Sequence, residues 1–333
     1  MPVTGVYFVP SHPNASTALG TITERLRSAF VDEDLTPIGR WALEHKLMRD
    51  TPGCLPASAN PAQQTSKPRY MQFLSLSHYP QHGFIYTSEP LEKPFHPPNA
   101  ASPVPPSSAT SPGSHPINSP GVVNATPQST GNNAAAPVPP TPDAMRMTSV
   151  PPSAYNTLFQ HFTYACQPFW CHRLTVAVPN GAVYDMGDFR VRVGDVRQTF
   201  PAARVRGTVV EIEWRGPSVI ESLPLSDAVS DADSGIDVSF AAIEESDIDA
   251  ELAATASLIR EFWTRLQVDG GRESILVPGV GKEIKDRLAS CKRRSAVPAE
   301  TAFGDAMVQE EDLDPYAGAD LARQYMEALR FNR

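Results

Sequence analysis

The chain has few cysteines, little positive charge and no long apolar run. Cys54, Cys166, Cys171 and Cys291 are too few and too scattered among 333 residues to form a disulfide framework, so a reducing compartment is the context they imply. Lys and Arg number 28 against 37 Asp and Glu, a net charge of −9. That balance speaks against nonspecific nucleic-acid binding, which needs a basic surface, and leaves a binder using the Arg190, Arg192, Arg204 and Arg206 face the least favoured function class. No apolar stretch approaches the roughly 18–20 residues that span a bilayer, so no membrane partner is expected. The opening MPVTGVYFVPSHPN lacks the charged n-region and long apolar core of a signal peptide. Neither a GxSxG elbow nor an HExxH pair occurs.

What is present is organised around Asp185–Trp214. Phe189, Val191 and Val193 alternate with Arg190 and Arg192, the period of a half-buried antiparallel strand. Gly194-Asp195 and Pro201-Ala202 supply breaks, and the chain returns through Arg204–Trp214. The return strand changes phase: Arg204 and Arg206 share a parity with Val210, Ile212 and Trp214. A bulge near Gly207 restores the apolar face. It sends Arg190, Arg192, Arg204 and Arg206 outward beside Glu211 and Glu213, a solvated face whose charge pairs contribute about 0.2–1 kcal/mol each.

The remaining segments read as follows. Val3–Val9 is a buried strand closed by Pro10, and Asn14-Ala15-Ser16 caps a helix whose apolar stripe runs Leu19, Ile22, Leu26, Ala29, Phe30. Ile38–Met48 is a strand, Thr51–Pro68 a loop, and Tyr70–His78 with Phe84–Thr87 a hairpin joined by residues 79–83. Half of the 34 prolines fall within 90–152, a Pro/Ser/Ala-rich span that cannot bury enough surface to offset ordering and is expected to be disordered. The aromatic stretch Leu158–Trp170 and Leu174–Val178 read as core plus strand, followed by a turn at Pro179-Asn180-Gly181. Residues 217–245 form an acidic, mobile loop. A helix then carries the stripe Ile248, Leu252, Ile259, Phe262, Trp263, Leu266, ending at Asp269-Gly270-Gly271. Ile275–Val277 is a short strand or an extended turn, Lys282–Ser290 a helix, and Ala317–Leu329 a final helix with Leu321, Tyr325 and Leu329 on one face. The sum is one α+β domain, 1–333, interrupted by those two spans. Its sheet is mainly antiparallel, closed as a barrel and flanked by N- and C-terminal helices.

Candidate chemistry is sparse. Gly279-Val280-Gly281-Lys282 resembles a phosphate loop, but Leu276 and Glu283 stand where that loop needs Gly and Ser/Thr. Cys166, Cys171 and His172 lack a second ligand pair nearby. His78 and His82 flank a Pro-containing turn and read as surface residues. Glu211-Ile212-Glu213-Trp214-Arg215 resembles the ExExK signature of triphosphate tunnel metalloenzymes, with Arg for Lys. That similarity implies a phosphohydrolase using Glu211 and Glu213, the alternative to a binding function. No cofactor is implied.

Three segments together resemble Mediator subunit 20 in its filamentous-fungal form: Met1-Pro2-Val3-Thr4-Gly5-Val6-Tyr7-Phe8-Val9, Phe189-Arg190-Val191-Arg192-Val193-Gly194 and Gly207-Thr208-Val209-Val210-Glu211-Ile212-Glu213-Trp214. The resemblance covers about residues 1–87, 155–214 and the helical C-terminus. It implies a barrel-like fold and a nuclear, non-catalytic subunit of the Mediator head module. Its implied partners are subunit 18 with subunit 8, coupling activators to RNA polymerase II. Partner contacts are expected at Arg190, Arg192, Arg204 and Arg206 or at Phe262 and Trp263, with Leu321-Tyr325 a further possibility.

Overall fold

A computed structural model gives the fold and describes residues 3–11, 16–30, 35–51, 69–88, 145–167, 169–218, 243–295, 314 and 316–331. Nine strands form one antiparallel sheet: β1 (Val3–Pro10), β2 (Thr36–Asp50), β3 (Tyr70–Leu76), β4 (Gly83–Ser88), β5 (Met145–Val150), β6 (Trp170–Met186), β7 (Phe189–Phe200), β8 (Arg204–Trp214) and β9 (Arg272–Ser274). Their order across the sheet is β5-β4-β3-β2-β6-β7-β8-β1-β9. The helices are α1 (Leu19–Ala29), α2 (Pro152–Tyr164), α3 (Glu245–Arg265), α4 (Lys282–Ser295) and α5 (Ala319–Ala328). All described residues belong to one compact unit.

Both faces of the sheet are covered. On one face, α1 and α3 bury Ile22, Leu26, Ile259 and Phe262 against Tyr7, Val191, Val193, Val210 and Ile212. At the far end of the same face, Tyr155 and the flank of α2 pack on Met48, Met71, Phe73 and Trp170. The other face holds α5, whose Leu321, Tyr325 and Met326 share one apolar cluster with side chains from seven strands, among them Phe8, Trp41, Leu74, Phe84, Val176, Val196 and Val209. Each fully buried apolar side chain contributes about 1.5–3 kcal/mol. Seven strands at about 4.8 Å spacing span roughly 29 Å, far more than a helix of about 10–12 Å diameter. The sheet therefore has to curl for all seven to share one cluster with α5.

That curl stops short of closure, which corrects the expected barrel. β5 and β9 each pair with one strand only, and α5 occupies the interior that a closed sheet would fill with side chains. Strand β5 takes up residues 145–150 of the span expected to be disordered; 89–144 lie outside the described residues, as do 219–242 of the acidic loop.

Local differences have local causes. Pro179-Asn180-Gly181 is not a turn: β6 runs straight through it, with one extra residue there relative to both β2 and β7. The bulge is held because the Trp41 indole, which donates to the Val193 carbonyl at 3.3 Å, fills the space a Cβ on Gly181 would need. The aromatic stretch after Tyr155 is helical in α2 rather than strand, and it leaves Tyr164 77% and Phe169 69% exposed. For α1, the N-cap is Ala18 without a side-chain bond; Asn14 and Ala15 lie outside the described residues. α3 stops before its expected glycines: Gln267 takes a positive φ of 49° two residues past its end. The short strand is Arg272–Ser274, so Ile275 is core rather than strand.

The bulge at Gly207 is present, with Val196 opposite Gly207 and Arg197 opposite Val205. A Cβ on Gly207 would collide with the Val9 carbonyl and the Phe8 ring across the sheet. Gly207→Ala is therefore expected to destabilise the protein by more than about 1 kcal/mol. Gly20, in α1 with open space around it, should give the opposite sign on mutation to Ala, about 0.5–1 kcal/mol of stabilisation. Denaturant midpoints of the two variants check both signs.

Candidate functional site

Alternation along β7 and β8 places Arg190, Arg192, Glu211 and Glu213 on one side of the sheet, opposite in parity to Val191, Val193, Val210 and Ile212. Register pairs Arg192 with Glu211 and Arg190 with Glu213. This side faces α5, and Arg192, Glu211 and Glu213 are buried. The expected outward face is thus corrected for Arg192 and the two glutamates, whereas Arg204 is exposed. Parity assigns a side of the sheet but cannot say that a helix more than 100 residues later will cover it.

Arg192 Nη1 donates to Glu211 Oε1 and, at 2.5 Å, to Glu213 Oε2. The Tyr325 hydroxyl on α5 donates to Glu211 Oε2 at 2.5 Å. Burial pushes the Glu211 carboxyl up, but Arg192 foremost, with the Tyr325 hydroxyl, holds it below the usual carboxylate range. Arg190 turns to Asp185, donating from Nε at 2.9 Å. His78, from the turn between β3 and β4, brings Nε2 to 3.8 Å from Glu211 Oε2. Neither of its ring nitrogens touches solvent or has a hydrogen-bond partner, and burial lowers its pKa.

These groups line one side of a cavity of about 330 Å³. The other side is built by α4 and α5, whose N-termini cap each other. Asp320 in the first turn of α5 accepts from the backbone N–H of Gly281 at 2.8 Å and of Glu283 at 3.4 Å. Glu283 in the first turn of α4 accepts from the N–H of Asp320 at 3.1 Å and of Gly318 at 3.3 Å. Each carboxylate thus satisfies donors the other helix leaves orphaned and sits at the positive end of its dipole. The Gly279–Lys282 segment accordingly holds Asp320 where a phosphate loop would hold phosphate. Gly318 caps α5 at φ 76°, with the Tyr79 ring in the space of its missing side chain. Burial, then the neighbouring Asp320, pushes the Glu283 carboxyl up to about 7.

Of the residues expected to meet partners, the fold brings Arg190 and Arg192 together at this cavity. Arg204 and Arg206 lie at the other end of the hairpin, the first bonded to Gln198 Oε1 at 3.1 Å and the second 5.0 Å from the centre of the Phe331 ring. Phe262 and Trp263 are on the opposite face and are used inside the protein. Phe262 stacks on Phe30 at 4.5 Å, and Trp263 lies flat on Tyr7 at 4.1 Å. His172 bonds Thr175 Oγ1 at 2.8 Å and stacks on Phe200, away from any metal role with Cys166 and Cys171. His82 bonds Ser149. Among the described residues no group of three or more His, Cys, Asp or Glu could hold a metal. The Arg192 guanidinium occupies the position between Glu211 and Glu213 that a divalent ion would take. Sequence reasoning missed Tyr325, His78, Glu283 and Asp320 as members of one site. The legible trace was acidic residues in the first turns of two helices beginning near glycines.

Arg192→Leu would leave two buried carboxylates uncompensated and is expected to cost about 3–5 kcal/mol. Tyr325→Phe removes one donor to Glu211 and should cost about 1–3 kcal/mol. Equilibrium unfolding ranks the two. For Glu283 the folded pKa is raised, so between about 4.3 and 7 the folded state holds more protons than the unfolded one, and stability falls as pH rises through that window. Glu283→Gln lacks this slope. Its stability relative to the parent should rise steadily from pH 5 to pH 8, read as the difference in Tm.

A family model described as the TATA-binding related factor of subunit 20 of the Mediator complex matches residues 1–330. Among solved structures, the PH1819 protein of Pyrococcus horikoshii OT3 is similar at 9% identity, over 66% of this chain and 81% of that one, with a TM-score of 0.26. A search of curated proteins returns no match. With a match spanning nearly its whole length, the chain belongs to the Mediator subunit 20 family.

Proposed function

We propose that the protein is a non-catalytic scaffold of the Mediator head module that serves RNA polymerase II transcription through protein–protein contacts in the nucleus. In this reading subunit 18 is its chief partner, with subunit 8 alongside, and it touches neither nucleic acid nor membrane. The chain acts as a single domain, and within the spans 90–152 and 217–245 the parts before β5 and before α3 are inserted into it. The observation that carries the reading is the family match over residues 1–330. The site's chemistry is compatible with it: Arg192 and Tyr325 tie up oxygens of Glu211 and Glu213 in holding α5 to the sheet. A phosphohydrolase reading would require Arg192 to vacate both carboxylates.

The tagged full chain, recovered from nuclear extract and read by mass spectrometry, is expected to bring down Mediator head subunits, subunit 18 first, in near-stoichiometric amounts. Recovery as a partnerless monomer with Mn²⁺-dependent triphosphatase activity that Glu211→Ala abolishes would replace the scaffold reading with the enzymatic one.

A further inference from the structure

The end of the sheet at which α5 terminates is rich in arginine. Arg69, Arg49, Arg173, Arg204 and Arg206 stand at or near the ends of β3, β2, β6 and β8 there. The last residues of α5 arrive at the same place: Arg330 lies 5.0 Å from the centre of the Tyr70 ring, and Arg272 of β9 donates to the Ala328 carbonyl. Among the described residues no ion pair joins any of those five arginines to a carboxylate. Towards the other end of α5, by contrast, Arg190, Arg192, Arg215, Arg287 and Arg323 each meet one. Of carboxylates, the arginine-bearing strand ends carry Asp50, and α5 carries Glu327, 4.0 Å from Arg330.

A second observation concerns how these cations are held. Arg69 lies 5.5 Å from the centre of the Trp170 ring, Arg49 lies 5.8 Å from that of Tyr70, and Arg206 is against Phe331. Contact with an aromatic face orders a guanidinium without neutralising it. Arg173 and Arg206 are each the extra residue of a β-bulge, between His172 and Leu174 in β6 and between Val205 and Gly207 in β8. A bulge is the device by which a strand re-aims a side chain. Arg69, Arg173 and Arg204 are exposed. Burial, then the neighbouring Arg204, lowers the pKa of Arg206, so like charges face each other here.

We propose that this row of guanidiniums docks an acidic segment of a partner protein. The proposal rests on the scaffold reading above and gives the chemistry of one of its contacts. Strands about 4.8 Å apart set β3 and β8, with β2, β6 and β7 between them, roughly 19 Å apart along the sheet. That is the length of about six residues of extended chain, so a short run of Asp and Glu matches it. Carboxylates also fit the planar N–H fork of arginine, which binds them bidentately. A nucleic acid suits the place less well, because a polyanion longer than the row runs onto a chain whose net charge is −9.

The test is fluorescence anisotropy of a labelled peptide of about ten residues, alternating Glu and Ser, titrated with the isolated full chain. Saturable binding is expected for this peptide, none for its Gln-for-Glu counterpart, and weaker binding for a labelled oligothymidylate. Arg69→Glu combined with Arg204→Glu should weaken peptide binding about tenfold. Arg27→Glu combined with Arg40→Glu changes the net charge equally at exposed positions outside the row and should leave binding unchanged. Lack of saturable binding, equal weakening by the two double variants, equal binding of the Gln peptide, or oligothymidylate binding as tight or tighter overturns the proposal. If the Arg69/Arg204 variant has a lowered Tm, the comparison of Glu and Gln peptides on the parent chain decides. Because no Mediator subunit is present in the titration, its failure is distinguishable from a failure of the nuclear-extract purification.

Discussion

The contact on which the architecture turns is the bond network joining α5 to the inside of the sheet. Arg192 bridges two glutamates on the neighbouring strand, and Tyr325 reaches down to one of them. A buried guanidinium with two carboxylates is expensive to desolvate and is tolerated because all three partners are fixed before they meet. The strand register brings Arg192 opposite Glu211, and the helix stripe that buries Leu321 and Met326 delivers Tyr325. The apolar packing supplies most of the favourable free energy. The polar contacts select one depth and one rotation for the helix.

Around that contact the rest is a problem of coverage. A nine-stranded antiparallel sheet has two faces, and here each receives helices. α1, α2 and α3 lie outside, and α5 lies within the curl. The reciprocal caps of α4 and α5 extend the same logic to the helix ends, where each N-terminus finds its missing acceptor in the first turn of the other. The cost is two carboxylates buried close together: burial first, then the neighbouring Asp320, raises the pKa of Glu283. Each acidic cap also carries its own arginine, Arg287 for Glu283 and Arg323 for Asp320.

Much of this was legible in the residues. Period-two alternation placed β7 and β8, the phase change placed the bulge at Gly207, and the stripes from Ile248 to Leu266 and from Leu321 to Leu329 placed α3 and α5. The loss came wherever a local rule met a distant partner. Pro179-Asn180-Gly181 has the composition of a turn, yet Trp41 from another strand makes it a bulge. The arginine–glutamate face has the pattern of a solvated surface, yet a later helix buries it. Barrel closure depends on whether the two end strands meet, and nothing in either strand records the other. The site was illegible for the same reason: its members come from β7, β8, the β3–β4 turn and two C-terminal helices, and no spacing along the chain connects them.

The place of β1 in the sheet carries a consequence for how the molecule comes into being. β1 is lodged between β8 and β9, and Pro10 pairs with Gly207 about two hundred residues later. At roughly 5–20 residues per second, the ribosome takes about 10–40 s to supply that partner. Throughout that interval Val3–Val9 is an apolar, β-branched segment with its neighbours still unmade, and α5, the filling of the curl, is made later still. Such non-local pairing is intrinsically slow, so the chain emerges as an incomplete sheet with an exposed edge, a client for chaperones during synthesis. Its native packing is complete only once the last third has left the ribosome.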